Sequence, residues 1–196
     1  QEASKQEIIR RYYQAVDGLT DGTRTEEEVF KIQLLMKQAK ISPEDRTVTV
    51  AAKERAEKTS APAAAMELEN GQIITGKTSD LLGASAALLL NALKELAGLP
   101  HDLHVISPAS IEPIQKLKTE YLGSKNPRLH TDEVLIALSS TTATSDAARM
   151  ALEQLPKLKG CQVHSSVMLS SIDRKIFQKL GIQLTCEPVY EHKKLY

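Results

Sequence analysis

The chain has 196 residues, enough for one well-buried core with an added layer or for two small domains. Its 25 Lys and Arg balance 25 Asp and Glu, and with 4% aromatic residues and no Trp it offers neither a basic nucleic-acid footprint nor a stacking platform, so nucleic acid is not expected as a partner. An apolar run such as Ala86 to Leu90 is far short of the ~20 residues that span a bilayer, so no membrane partner is expected either.

Three helices come first, expected near residues 5–17, 25–40 and 43–58. Ser4 with Glu7, Thr25 with Glu28, and Ser42-Pro43 with Asp45 each put a side-chain oxygen before a first turn and a carboxylate inside it. The Ala/Pro-rich KTSAPAAA closes the third helix, dividing a helical segment at 1–60 from an α/β domain at 61–196. Beyond it, apolar or alternating residues flank Asn70-Gly71, a dipeptide that suits a tight hairpin because it tolerates positive φ. GASAALLLNALKELAGL is apolar almost all round, as in a helix buried against a sheet.

The remainder reads as a strand at 103–107, a helix over PASIEPIQKLKTEYL and helices over TDEVLIALSS and SDAARMALEQLPKL. A strand in CQVHSSVML (161–169), a helix in IDRKIFQKLG and a strand in IQLTCEPV follow. The expected fold is three-layer α/β with a mostly parallel, mixed sheet of about five strands including one hairpin.

Residues 71–78, GQIITGKT, satisfy the phosphate-loop pattern G-x-x-x-x-G-K-[ST]. A working loop lies between a strand and a helix, whereas here the hairpin turn falls on the first Gly. Ile73, Ile74 and Thr75 are β-branched, which suits a strand and not a phosphate cradle. The match is therefore read as accidental, and Lys77, Thr78 and Ser79 as polar groups at a strand end.

The stretches GKTSDLLGASAALLLNALKELAG, LGSKNPRLHTDEVLIALS and LTCEPVYEHKKLY resemble the C-terminal part of a bacterial family known as domain of unknown function 1846. The resemblance implies a longer protein whose preceding α/β region carries its own glycine-rich segment; it supplies no catalytic residue and no cofactor. The opening at Gln1 agrees with a fragment. A second likeness, of topology alone, is to the cytidine-deaminase-like fold. The zinc pattern is missing from it: Ala109 and Glu112 stand where two cysteines belong, and Gly83-Ala84-Ser85 replaces His or Cys, Ala and Glu.

Cys161, His164 and Cys186 are read as core residues and not as metal ligands, because strand alternation points Cys161 and His164 to opposite faces. Two cysteines without a disulfide framework fit a cytoplasmic protein. In LGSKNPRLHTDE, Gly123, Asn126 and Pro127 force a turn, while Lys125, Arg128 and His130 present donors to a carboxylate or phosphate. Ligands of parallel sheets sit outside the strands' C-terminal ends. The candidates for a small anionic or nucleotide-like ligand are therefore Lys77, Thr78, Ser79, Ser107, Ser110, Lys125, Asn126, Arg128 and His130. The opposing reading is an assembly module, its amphipathic helices packed on the remainder of the longer chain or on a second copy in a homo-oligomer.

Overall fold

The computed structural model describes residues 2–191. Helices α1 (Glu2–Thr20) and α2 (Glu26–Ala39) form a hairpin. The start of α2 is the expected capping box: Thr25 Oγ1 accepts from the Glu28 amide at 3.3 Å, and the Glu28 carboxylate accepts from the Thr25 amide at 2.9 Å. The helix expected at 43–58 is divided. Pro43–Asp45 make one 3-10 turn, Arg46 is extended (φ −100°, ψ 107°), and α3 runs over Thr47–Thr59. That break lets the Arg46 side chain reach the sheet.

The strands are β1 (Ala63–Glu67), β2 (Ile73–Lys77), β3 (Gln162–Ser165) and β4 (Gln183–Cys186), in the order β2-β1-β3-β4. The hairpin forms as expected. Leu68 and Gln72 close the turn through a 2.9 Å amide-to-carbonyl bond, and Gly71 takes φ +83°. Between β2 and β3 lie helices α4 (Ala84–Leu96), α5 (Pro108–Lys116), α6 (Thr131–Thr141) and α7 (Asp146–Leu152); α8 (Ser171–Lys179) links β3 to β4.

Two expectations are corrected. The sheet is mixed but not mostly parallel: β1 pairs antiparallel with both β2 and β3, and only β3 and β4 pair in parallel. Helices between strands do make β2, β3 and β4 point the same way. The hairpin partner β1, however, sits between β2 and β3, and sequence alternation carries direction without adjacency. There are four strands among the described residues instead of about five, because 103–107 does not join the sheet. Val105 and Ile106 are buried in the core from a loop, and the carbonyls of His101 and Leu103 accept from Lys94 Nζ at 2.7 and 3.2 Å instead of from a neighbouring strand.

Helices cover both faces. On one, Ala64, Met66 and Val163 pack with the Leu88–Leu89–Leu93 side of α4 and with Leu138, Ala148 and Phe177 of α6, α7 and α8. On the other, Ala65 meets Val48 and Ala52 of α3, and α1 lies against β4. Strand alternation sorts the side chains: Val163 enters the first layer, His164 the second. Gly76 faces α4 so closely that an added Cβ would lie 2.2 Å from the Leu88 nitrogen. The two motif glycines thus have structural reasons, a positive φ at Gly71 and a close helix approach at Gly76. The motif from Ile73 to Lys77 stands in the ladder, with Ile73 opposite Glu67 and Lys77 opposite Ala63.

Candidate functional site

The register places the ends of β2, β3 and β4 at one edge of the sheet, because Lys77 is opposite Ala63, Ala64 opposite Ser165, and Ser165 opposite Cys186. The 123–131 loop is bound to this edge. Leu129 makes an isolated parallel bridge with Leu82, donating to the Leu81 carbonyl at 3.0 Å and accepting from the Gly83 amide at 3.2 Å. Arg128 Nε donates to the Ser79 carbonyl at 2.8 Å, and its NH1 meets Glu191 at 3.1 Å. Lys118 Nζ holds the loop from behind, donating to the Arg128 carbonyl at 2.5 Å and to Glu133 at 2.9 Å.

The loop's shape is local chemistry. Asn126 Oδ1 accepts from the Arg128 amide at 3.1 Å, Ser124 Oγ accepts from the Asn126 amide at 3.2 Å, and Gly123 takes φ +69°. His130 and Thr131 then meet α8. Asp173, 7% exposed, accepts from the Thr131 amide at 2.9 Å and from its hydroxyl at 2.7 Å, and His130 Nδ1 lies 3.4 Å from its other oxygen. The start of α6 is thus served by a carboxylate from another helix, with Thr131 as its first residue. Burial opposes the charge on Asp173, yet its bonds from His130 and Thr131 outweigh that and hold its carboxyl below the ordinary value. The same hydrogen bond, against burial, holds His130 above the ordinary 6.5. His130 is thus a part-exposed imidazole, oriented through Nδ1 by a buried carboxylate and biased toward the cation, an arrangement able to bind anions or move protons.

The other sequence candidates divide. Lys77 and Ser79 are exposed at the same edge, Ser79 joined to Arg128, whereas Thr78 is 7% exposed with its amide on the Pro62 carbonyl at 2.8 Å. Ser79 shares with Pro108 and Ile111 the wall of a largely apolar groove of about 260 Å³ between α4 and the 101–108 loop. Ser107 and Ser110 do not line it; their hydroxyls lie 2.9 Å apart and Ser107 caps α5. Lys125 is exposed, and Asn126 shapes the turn.

A polar network under α1 and α3 went unread. Arg46, 1% exposed, donates Nε to Thr185 at 3.1 Å, NH1 to Gln162, and NH2 to the carbonyls of Val163 and Gln183 at 2.9 and 2.8 Å. His164, wholly buried, lies 2.8 Å from Thr185 through Nδ1 and 3.1 Å from Glu187 through Nε2. Tyr13 and Lys53 also donate to Glu187, each at 3.0 Å. A carboxylate only accepts, so Nε2 carries the imidazole proton and Nδ1 accepts from the Thr185 hydroxyl. Burial alone would raise Glu187, but His164, Lys53 and Tyr13 hold it at about 2. Burial lowers His164 below 6.5 despite Glu187, and lowers Arg46 to about 10. The signal was the alternation Gln162, His164 and Gln183, Thr185, which gives these strands one polar face. Cys161 packs in the opposite, apolar layer. Among the described residues no group of three His, Cys, Asp or Glu side chains is placed to hold a metal ion.

Comparison with known proteins fits this architecture to one family. The family described as domain of unknown function DUF1846, C-terminal, matches residues 44–196. The UPF0371 protein SUB1165 of Streptococcus uberis is 51% identical over 195 residues, covering 100% of this chain and 40% of its own length. The UPF0371 protein CE2832 of Corynebacterium efficiens is 55% identical over 200 residues, covering 100% of this chain and 39% of its own. The chain thus spans about two fifths of the length of these relatives. With whole-chain identity at this level and the family match running to residue 196, the chain belongs to the DUF1846 family of UPF0371 proteins, uncharacterised in function, and carries their C-terminal domain.

Proposed function

We propose that this domain, within a longer cytoplasmic bacterial protein, binds a small anionic, nucleotide-like ligand at the sheet edge where β2, β3 and β4 end. The observation that carries the reading is the 2.8 Å bond from Arg128 Nε to the Ser79 carbonyl, which joins the basic loop to the end of β2 beside His130. Lys77, Arg128 and His130 supply positive charge there, and the Arg128–Glu191 pair is open enough to water for a stronger anion to displace Glu191. The strand order also suits a cytidine-deaminase-like topology, a fold analogy that assigns no residue a role.

The test is titration of the full-length protein with sulfate and with ATP. Arg128→Ala is expected to weaken binding by about tenfold while changing stability by less than ~1 kcal/mol, because exposed ion pairs contribute little to folding. Unchanged binding in that variant would defeat the reading. Assembly is the second reading, favoured by Phe30, Leu34 and Leu35, which are 64, 46 and 46% exposed on α2. It expects Phe30→Ser with Leu34→Ser to alter oligomeric state or domain association, with sulfate binding unchanged.

A further inference from the structure

The last turn of α1 and the edge strand β4 enclose a groove of about 310 Å³, lined among others by Asp17, Asp21, Arg24, Arg174, Thr185 and Cys186. Asp17 is 7% exposed, and its Oδ1 is buried without a hydrogen-bond partner. Buried carboxylates are ordinarily paired, so Asp17, which lines the groove with one oxygen left orphaned, invites a donor from outside the chain. Its setting specifies the sign of that donor. Asp17 stands where the carbonyls of α1 end, the negative pole of the helix, and Asp21 adds a second carboxylate. The same groove carries two guanidinium groups: Arg174 is fixed through Nε on the Leu169 carbonyl at 3.1 Å, and Arg24 is paired only loosely with Glu28 at 3.5 Å.

We propose that this groove binds a small zwitterion of the α-amino-acid class, its ammonium group on the Asp17 carboxylate and its carboxylate on Arg174. Ligand pockets run from ~300 to ~1,000 Å³, so this volume suits an amino acid better than a nucleotide. Burial raises the Asp17 carboxyl to about 7, opposed by Arg174 and reinforced by Glu187 and Asp21; an arriving ammonium would restore its charge. Cys186 serves as a neutral wall, because burial pushes its thiol up to about 12. The groove borders the end of β4, and none of the residues that line it belongs to the anion-site candidates around Arg128.

The experiment is thermal unfolding of the full-length protein with each of the twenty common amino acids at about 10 mM, a concentration that registers dissociation constants up to the millimolar range. At least one is expected to raise the melting temperature. Its N-acetyl derivative and its amide are expected to lose the effect, as are Asp17→Asn and Arg174→Gln, each with at least a tenfold rise in Kd by calorimetry. Asp17→Asn removes a buried charge and is expected to melt no lower than the parent, so its loss of binding is not unfolding; Arg24→Gln is the second variant if Arg174→Gln fails to fold. Arg128→Ala is expected to leave the effect intact. Silence from all twenty, equal binding of the N-acetyl form, or binding retained in Asp17→Asn overturns the proposal.

Discussion

His164 Nε2 lies 3.1 Å from Glu187 Oε1, a wholly buried imidazole on β3 bonded to a carboxylate just past the end of β4. The pair joins the polar face of the sheet to α1 through Tyr13 and to α3 through Lys53. Its protonation state is therefore coupled to whether those helices stay seated.

Glu187 is depressed to about 2 from 4.5, so its contribution to stability is fully present above 4.5 and is lost as pH falls toward 2. His164, also depressed, contributes above 6.5 and loses that contribution as pH falls. Urea midpoints measured against pH are expected to fall on the acid side. Glu187→Gln should be less stable at neutral pH and show a flatter acid limb; an unchanged limb would assign the acid sensitivity to other carboxylates.

Arg46 is a buried cation held by neutral acceptors: Thr185, Gln162 and two strand carbonyls. Arg46→Ala leaves these acceptors unsatisfied and a cavity beneath α3, with an expected loss of about 3 kcal/mol or more. Arg46→Lys is expected to recover little, since an ammonium group does not reproduce the planar fork. Chemical denaturation decides; a loss below ~1 kcal/mol would count against a structural role for the network.

The two glycines of the phosphate-loop pattern are expected to respond differently. Gly76→Ala drives a methyl against the α4 backbone, with a loss of ~3 kcal/mol or more, whereas Gly71→Ala meets open space and pays for its φ of +83° alone, ~1 kcal/mol. Lys77→Ala, on an exposed side chain, is expected to be near neutral for stability. Equal losses at Gly71 and Gly76 would contradict the close approach of α4 to β2.

His130 carries a raised pKa, so its cationic form, and the stability it brings, is fully present below 6.5 and lost as pH rises through the folded value. Sulfate does not titrate in this range, which makes it the clean probe. Its affinity for the full-length protein is expected to fall as pH rises above 6.5 and through the folded value, and His130→Gln to flatten that dependence. A profile identical in the two proteins would remove His130 from the anion site.

Local chemistry was legible in the sequence: the Thr25–Glu28 cap, the Asn70-Gly71 turn, the buried helix α4 and the Asn126 turn all depend on residues a few positions apart. The same reading brought Arg128 and Ser79 to one edge as candidates, because helices between strands fix strand direction. What failed was adjacency and occupancy. Residues 103–107 alternate like a strand, yet Lys94 takes two of the loop's carbonyls.

Side-chain periodicity and backbone preference suffice for the Thr25–Glu28 cap, the hairpin, the apolar layer and the common direction of β2, β3 and β4, whereas Ser4, expected to cap a helix from residue 5, lies inside α1. Packing of distant segments placed β1 between β2 and β3, brought Asp173 to the start of α6, carried Arg46 to Thr185 across 139 residues, and left Asp17 Oδ1 buried without a partner. Those outcomes depend on which surfaces meet, and the free energy of a buried charge is set by neighbours distant in the chain.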